Sequence, residues 1–496
     1  MTAKTLYFHI LWVTFLLKLT LAAVLPMSGD EAYFILWAQH LDYGYYDHPP
    51  MVGWILYLLQ NLGHAAWFIR LPAVLFSSWI GILIYRLLAP SGENRAAFTA
   101  SLFLVWPITL INVLITTDTP LILFVFLSVY ALVKAVRSNQ QRNFVWSGLW
   151  LGCAFLSKYF AVLLGLAYFA WFVFTQAGRA RWRSGLLLVM TALPAVALNV
   201  YWNYTHCWDN ILFNLYNRNV GAGLSWHDLS LYLITTLYLT TPPALWAWWQ
   251  SRHEPVQDKL AMQIYGYVFA IPVFIFFVLS WGKTIGLHWV LAFYPFYFLL
   301  LGSKLPEQNL LRLFRFMRGF AFVHGILLVT ILLAPAAWWQ HTRFYSGYVL
   351  LTQPAKVLSQ LKPYTHGMLL ATNDYSTSAI MSYHSGHEYF VYGPGSQHAR
   401  QDDMNTDYRQ LDGHNILIFD KSPTDIQQYA PYFSRVVQET ILVDGAKFYL
   451  ASGYDFHYAA YRTGVLARIR QKYYRIPAYL PHAPCYFCTK YFSEGT

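Results

Sequence analysis

The feature that most constrains this chain is a repeated one. Apolar runs close to the length of a membrane span recur near 6–26, 70–90, 97–115, 119–136, 143–159, 160–177, 184–202, 229–250, 261–281, 285–303 and 319–338. A bilayer core takes about 20 helical residues to cross, and inside it every backbone polar group must be bonded within the protein. About eleven transmembrane helices are therefore expected. Charge is scarce to match: 57% of residues are hydrophobic and 11% charged, against about 25% charged in soluble chains. "LPMSGDEAY" follows the first run at once with no small-residue cleavage site, which predicts an uncleaved span rather than a signal peptide.

The formal net charge of +11 does not point to nucleic acid, because of where the charge lies. One set of connections holds Arg95, Arg137 to Arg142, Arg179 to Arg183, Arg252 to Lys259 and Lys304 to Arg318. The alternate set holds only Arg70, Lys158, Arg218 and Lys283. Basic connections stay on the cytoplasmic side. The expected topology is a multi-pass membrane protein with a cytoplasmic N-terminus, and an odd number of spans places residues 339–496 on the outer side. The outer segments are acidic and aromatic, with Asp30, Glu31, Asp42, Asp47, Asp118, Asp209 and Asp228.

The chain divides into a membrane half, 1–338, and a tail, 339–496, with an ordinary balance of charge. In the tail "GMLLAT" and "HNILIFD" read as short strands and "NDYSTSAIMSYH" as a helix started by Asn373 or Asp374. "SPTDIQQYAPYF" reads as a helix with Ser422 as N-cap and Pro423 at its first position. "RVVQETILV" and "KFYLASGY" flank "DGA", a hairpin turn. The fold class is thus a polytopic α-helical membrane protein with a C-terminal extracytoplasmic α/β domain. Four cysteines are too few for a disulfide framework. Cys485 and Cys488 in "CYFC" read as a local disulfide or two unpaired thiols, with "HAPCYFC" as a zinc site the lesser alternative for want of a fourth ligand.

Residues 27–69 form the first outer loop, long enough to carry interfacial helices. Within it "SGDEAYFILWAQHLDYGYYDHPP" crowds four carboxylates, two histidines and two prolines into 28–50. Asp30 and Glu31 precede an amphipathic stretch, where an alternative role is to favour a helix N-terminus. Asp118 lies at the outer end of a span, where it could simply cap the next helix. Lys158, Lys283 with His288, and Arg218 place cations beside aromatics in three further outer connections. Carboxylates facing cations at the outer leaflet suit sugar transfer from a lipid phosphate. The cations hold the anionic headgroup, and a carboxylate serves the hydroxyl nucleophile or the developing positive sugar. No glycine-rich phosphate loop appears. A transporter would bury ionisable groups at mid-membrane, where only Lys18 falls. A non-catalytic anchor for the tail would leave Asp30 replaceable.

"DEAYFILWAQHLDYGYYDHPPMVGWIL", "RLPAVLF", "TTDTPL", "LSKYF", "WNYTHCWDNILFNLYNR" and "KTIGLHW" occur in order along the membrane half. Together they resemble the bacterial, ArnT-like branch of the protein O-mannosyltransferase family (glycosyltransferase family 39). The resemblance implies the GT-C fold, an active site on the outer face and a polyprenyl-phosphate sugar donor, undecaprenyl phosphate being the bacterial carrier. The acceptor it implies is lipid A or another envelope glycan or lipid, with protein Ser/Thr as the alternative. By position Asp30 matches the catalytic aspartate, Asp118 the second acidic position, Tyr45 an aromatic that lines the site, and Arg218 a phosphate ligand. His48 stands where the family has lysine, and Tyr33 where it has arginine. Both changes remove positive charge, which Lys158, Lys283 and His288 would supply. The expected site is therefore Asp30, Asp118 and Glu31 for catalysis; His48, Arg218, Lys158, Lys283 and His288 for donor phosphate; and Tyr33, Tyr45 and Asp47 as lining. No metal or other cofactor is expected; a divalent ion on Asp30, Glu31 and Asp118 is the alternative.

Overall fold

The structure is a computed structural model, and it describes residues 2–219, 223–423, 425–481 and 484–492. Helices occupy the regions where apolar runs predicted them. Among the described residues six helices are long and apolar enough to cross a membrane: Ala3–Val24, Leu71–Ser91, Asp118–Ser138, Trp182–Thr205, Lys259–Leu279 and Glu307–Leu332. Gln141–Ser157 and Ala161–Phe174 are shorter and are separated by the extended residue Lys158.

Three runs expected as continuous spans are broken, and proline is at each break. Run 97–115 is Glu93–Val105 followed by Pro107–Ile111, with Trp106 extended ahead of Pro107. Run 229–250 breaks at Thr241, whose φ is +58° ahead of Pro242. Run 285–303 opens as two 3-10 turns, Leu287–Trp289 and Leu291–Phe293, and becomes a helix only at Tyr294–Lys304, with Pro295 in its first turn. Proline removes a donor and disfavours the helical conformation of the residue before it. The last helix starts twelve residues before the predicted 319, because Glu307 to Arg318 is amphipathic rather than apolar and packs Leu310, Leu313, Phe314 and Met317 inward.

The two ends of the bundle differ. At one end Lys4 pairs with Glu93 at 2.8 Å, Arg137 pairs with Asp258 at 2.7 Å, and Arg95 donates to the Leu305 carbonyl at 2.8 Å. These are the basic connections. The opposite end gathers the first loop, the segments around 112–117, 158–160, 206–219 and 280–293, and the C-terminal domain.

That domain is built on a five-stranded sheet of β1 (Leu369–Thr372), β2 (Phe390–Val391), β3 (Ile416–Asp420), β4 (Phe433–Val443) and β5 (Ala446–Phe456), in the order β2-β1-β3-β5-β4. β1 runs parallel to both neighbours, while β5 is antiparallel to β3 and β4. The hairpin turns at Asp444 and Gly445, both at positive φ (48° and 83°). That backbone matches the strand twist and explains the Asp-Gly pair. Helix Tyr375–Ser385 is capped by Asp374, which accepts from Thr377 N, and ends at Gly386 in the left-handed region. The helix expected from Ser422 and Pro423 is instead two 3-10 turns, Ile426–Gln428 capped by Asp425 and Ala430–Tyr432. Pro431 interrupts it, and Thr424 lies outside the described residues.

One apolar cluster joins Tyr33, Trp37 and Tyr45 of the first loop to Ile380, Met381, Leu417 and Phe448 of the C-terminal domain. Domain and loop therefore share a core rather than merely touching. Helix Gly29–Gln39 lies so close to helix Tyr375–Ser385 that a Cβ on Gly29 would stand 1.8 Å from Ser376 Oγ.

The cysteine expectation is corrected. Cys485 is bonded to Cys207, 278 residues away, and Cys488 is a free thiol. Cys485 precedes helix Tyr486–Phe492 and faces the Cys207 turn, where Tyr486 also reaches across to Asp209. With its sulfur in a disulfide, Cys485 is no zinc ligand; His482 of that motif lies outside the described residues. The bond fastens the C-terminal segment to the membrane half and fits an oxidising compartment. Cys207→Ser, or reductant, should cost about 2–5 kcal/mol. Thermal unfolding in detergent checks this: an unchanged midpoint with the bond gone would show that the shared core suffices alone.

Candidate functional site

The first loop turns its two leading carboxylates in opposite directions. Ser28 and Glu31 form a capping box at the start of helix Gly29–Gln39. Glu31 then accepts from Arg70 Nε at 2.8 Å and from its terminal nitrogen at 2.7 Å, and takes Ile115 N at 3.1 Å. Arg70 spends its remaining donors on the carbonyls of Ala22, Leu25 and Pro26. Both side chains are fully buried. Glu31 is thus a structural clamp between the first span, the first loop and the 112–117 segment, which corrects its expected catalytic place. Asp30, one residue earlier, is exposed and accepts from Tyr375 OH of the C-terminal domain at 3.0 Å.

Asp118 and Lys158 find each other. Lys158 Nζ lies 2.9 and 2.7 Å from the two Asp118 oxygens, and both side chains are buried. Each neutralises the other, so neither is the free catalytic acid or free phosphate cation that was expected. Asp30, Glu31 and Asp118 also make a poor divalent site, since two of the three are taken by side-chain cations. Among the described residues no group of three His, Cys, Asp or Glu is placed to hold a metal.

Tyr45, expected as lining, is core. It stacks on Trp37 with ring centres 4.5 Å apart, and its hydroxyl donates to the Trp37 carbonyl. Gly53 makes room for it, because a Cβ there would meet Tyr45 Oη at 2.3 Å. Tyr33 is buried as well, edge-on to Trp37 and Tyr375, with its hydroxyl donating to the His398 carbonyl at 2.7 Å. The turn that follows is held from both sides. Asn210 donates to the Tyr45 and Tyr46 carbonyls, and Gln401 accepts from Tyr46 N at 2.8 Å.

Asp47 is buried in the wall rather than lining it openly, between two imidazoles. His398 Nδ1 lies 3.0 Å from Oδ2, and His48 Nδ1 lies 3.1 Å from Oδ1, near enough for charge attraction but off the line of a hydrogen bond. Burial works to raise the Asp47 carboxyl, but His48 and His398 outweigh it and hold it below the usual carboxylate range.

The remaining cations converge nearby. Arg218 lies 4.3 Å over the Trp289 ring, and Lys283 lies 5.3 Å over the same ring. Arg218 feels the charges of Asp47 and Asp118, and burial pushes its guanidinium below its ordinary value. His288, on the exposed side of this wall, feels Asp118, Lys158, Arg218 and His48. Burial, and then the Arg218 charge, push the Lys283 ammonium down to about 8. Three fixed cations (Lys158, Arg218 and Lys283) face two carboxylates (Asp47 and Asp118). The surplus is positive, at an aromatic wall, a setting that suits an anion.

Sequence reasoning missed Tyr375, His398 and Asn210. Asp47 and His398 are 351 residues apart, and no spacing signal connects them. Asp209, grouped with the outer acids, is buried away from this cluster; burial raises its carboxyl, which accepts from Tyr486 OH at 2.9 Å beside the disulfide.

Residues 47–202 match the family described as dolichyl-phosphate-mannose-protein mannosyltransferase. The chain is 27% identical over 211 residues to the lipid A galacturonosyltransferase RgtD of Rhizobium johnstonii, a match covering 41% of this chain and 43% of that protein. It thus spans less than half the length of this curated relative. Its fold is similar to crystal structures of ArnT from Cupriavidus metallidurans. The one bound to undecaprenyl phosphate gives a TM-score of 0.63 at 15% identity, covering 90% of this chain and 97% of that one. The apo form gives a TM-score of 0.61 over the same shares.

Proposed function

We propose that this chain is a GT-C membrane glycosyltransferase of the ArnT-like kind, which moves a sugar from a polyprenyl-phosphate carrier to an envelope acceptor by inversion; the family match over 47–202, the partial relative and the similar fold support the reading. The reading places the site on the outer face of the bacterial inner membrane, where the acceptor is lipid A or another surface glycan or lipid. The observation that carries it is the gathering of Arg218 and Lys283 over the Trp289 ring with His288 beside it, His48 being within electrostatic reach of His288 on the loop that carries Asp30.

The chemistry follows from that placement. Arg218 and Lys283 hold the phosphate, with His48 and His288 adding hydrogen bonds. As the bond from the sugar's anomeric carbon to the phosphate oxygen breaks, its electron pair moves onto the phosphate. Fixed cations in a partly dry site stabilise that growing charge. The acceptor hydroxyl attacks from the opposite face, and its proton passes to the Asp30 carboxylate. Asp118 and Lys158 stiffen the floor as a neutral pair.

The test is transfer by the purified protein from a synthetic polyprenyl-phosphate sugar, together with mass spectrometry of envelope lipids and glycans with and without the gene. A sugar-sized mass difference is expected. An unchanged envelope and no donor consumption would end the reading.

Lys283 adds a pH dependence. Its folded value lies near 8, so it is charged below that pH and neutral above it. Donor binding should be strongest below pH 8 and weaken as pH rises through it, by about ten- to a hundred-fold, the worth of one charge-assisted hydrogen bond. Lys283→Arg keeps the charge and should flatten the curve in a titration with polyprenyl phosphate. An unaltered pH curve in that variant would remove Lys283 from the phosphate site.

A further inference from the structure

His398 stands where three parts of the protein meet. It belongs to the 3-10 turn Gln397–Ala399 of the C-terminal domain. Its carbonyl accepts from Tyr33 OH, and three residues on Gln401 accepts from Tyr46 N. The turn is therefore fastened to the first loop at two points. The imidazole lies 5.3 Å from the Tyr375 ring, whose hydroxyl binds Asp30, and 5.2 Å from the Phe213 ring, with Arg218 on that same ring at 5.9 Å. One side chain thus lies one aromatic ring away from both the expected base and the expected phosphate cation.

Its polar contact goes to Asp47. That carboxylate is 4% exposed, and a buried carboxylate needs a donor. An ionised carboxylate only accepts, so the proton in this contact sits on His398 Nδ1. Among the described residues this is the side-chain hydrogen bond to the Asp47 carboxylate, since His48 approaches off line. Without it the turn 45–48 would keep its backbone clamps but lose what fixes the carboxylate beside His48.

We propose that His398 is a positioning residue of the transfer site: supplied by the C-terminal domain, it holds Asp47, and through Asp47 the His48 imidazole, where the donor phosphate binds. This rests on the transferase reading above.

The test uses the full-length protein in detergent, with polyprenyl phosphate as the binding probe and the synthetic donor for turnover. His398→Ala should weaken polyprenyl-phosphate binding and raise donor KM by about ten- to a hundred-fold, leaving acceptor KM within about twofold. His398→Asn places an amide nitrogen where Nδ1 stands and should remain within about threefold of the parent. In the Asp47→Asn background, His398→Ala should add nothing, because the two act through one contact. Should His398→Ala not be recovered as folded protein, judged by its melting midpoint and the Cys207–Cys485 bond, His398→Gln replaces it; its amide falls at the Nε2 position and the same loss is expected. Parent-like binding by the alanine or glutamine variant, or an asparagine variant as weak as the alanine one, overturns the proposal. A parent protein that binds polyprenyl phosphate and transfers no sugar overturns the transferase reading alone.

Discussion

Asp30→Asn should leave the protein folded and able to bind polyprenyl phosphate while lowering sugar transfer by about two to four orders of magnitude, the scale of an acid–base group. Asparagine keeps the oxygen that accepts from Tyr375 OH, so the contact between the first loop and the C-terminal domain survives. What is lost is the negative charge and the ability to take a proton. The charge in the first helical turn is worth about 0.3–1 kcal/mol to the helix at most, too little to unfold a helix that shares a core with the sheet. Tyr375→Phe removes the hydrogen bond that orients the Asp30 carboxylate, and should cost about ten- to a hundred-fold, the worth of one hydrogen bond to a charged group. The measurement is kcat with a synthetic donor beside an independent binding titration. Transfer within threefold of the parent in the asparagine variant would remove Asp30 from the chemistry.

Depth was legible in the sequence; pairing was not. Apolar runs located the helices, and lysine and arginine separated the two ends, because bilayer thickness and charge desolvation act on each segment alone. The hairpin at Asp444–Gly445 and the cap at Asp374 were legible for the same reason, since a positive φ and an unsatisfied helix terminus are local needs. The partner of Lys158 was hidden. It and Asp118 lie at the same depth 40 residues apart, and whether they meet depends on how two helices are rotated. Nothing nearby in sequence marks that rotation. The same applies with more force to Cys207 with Cys485 and to Asp47 with His398, which meet only because the C-terminal domain docks on the first loop. Tyr45 was misplaced for a different reason: an aromatic beside a polar turn suits either a cavity wall or a core, and the Gly53 gap that makes it core is a packing fact.

Glu31→Gln, one residue from Asp30, should instead fail by instability. The Arg70 guanidinium is fully buried, and its charge is balanced by the Glu31 carboxylate alone among its contacts, the others being the Ala22, Leu25 and Pro26 carbonyls. Glutamine leaves that charge unpaired at low dielectric and puts an amide donor against a donor. Breaking a buried pair from one side costs about 3–5 kcal/mol, a large fraction of the roughly 5–15 kcal/mol that holds a folded domain. Arg70→Met should fail in the same way from the other side, stranding the carboxylate. Combining Glu31→Leu with Arg70→Met removes both charges, so much of the loss should return. Recovery stays incomplete, because Ile115 N and Ser28 N lose their acceptor, at about 1–3 kcal/mol each. Melting midpoints and gel-filtration profiles in detergent read all three variants. A Glu31→Gln protein with the parent's midpoint and no transfer would return Glu31 to the catalytic carboxylates, and Arg70 would then be holding a reacting group rather than a joint of the fold.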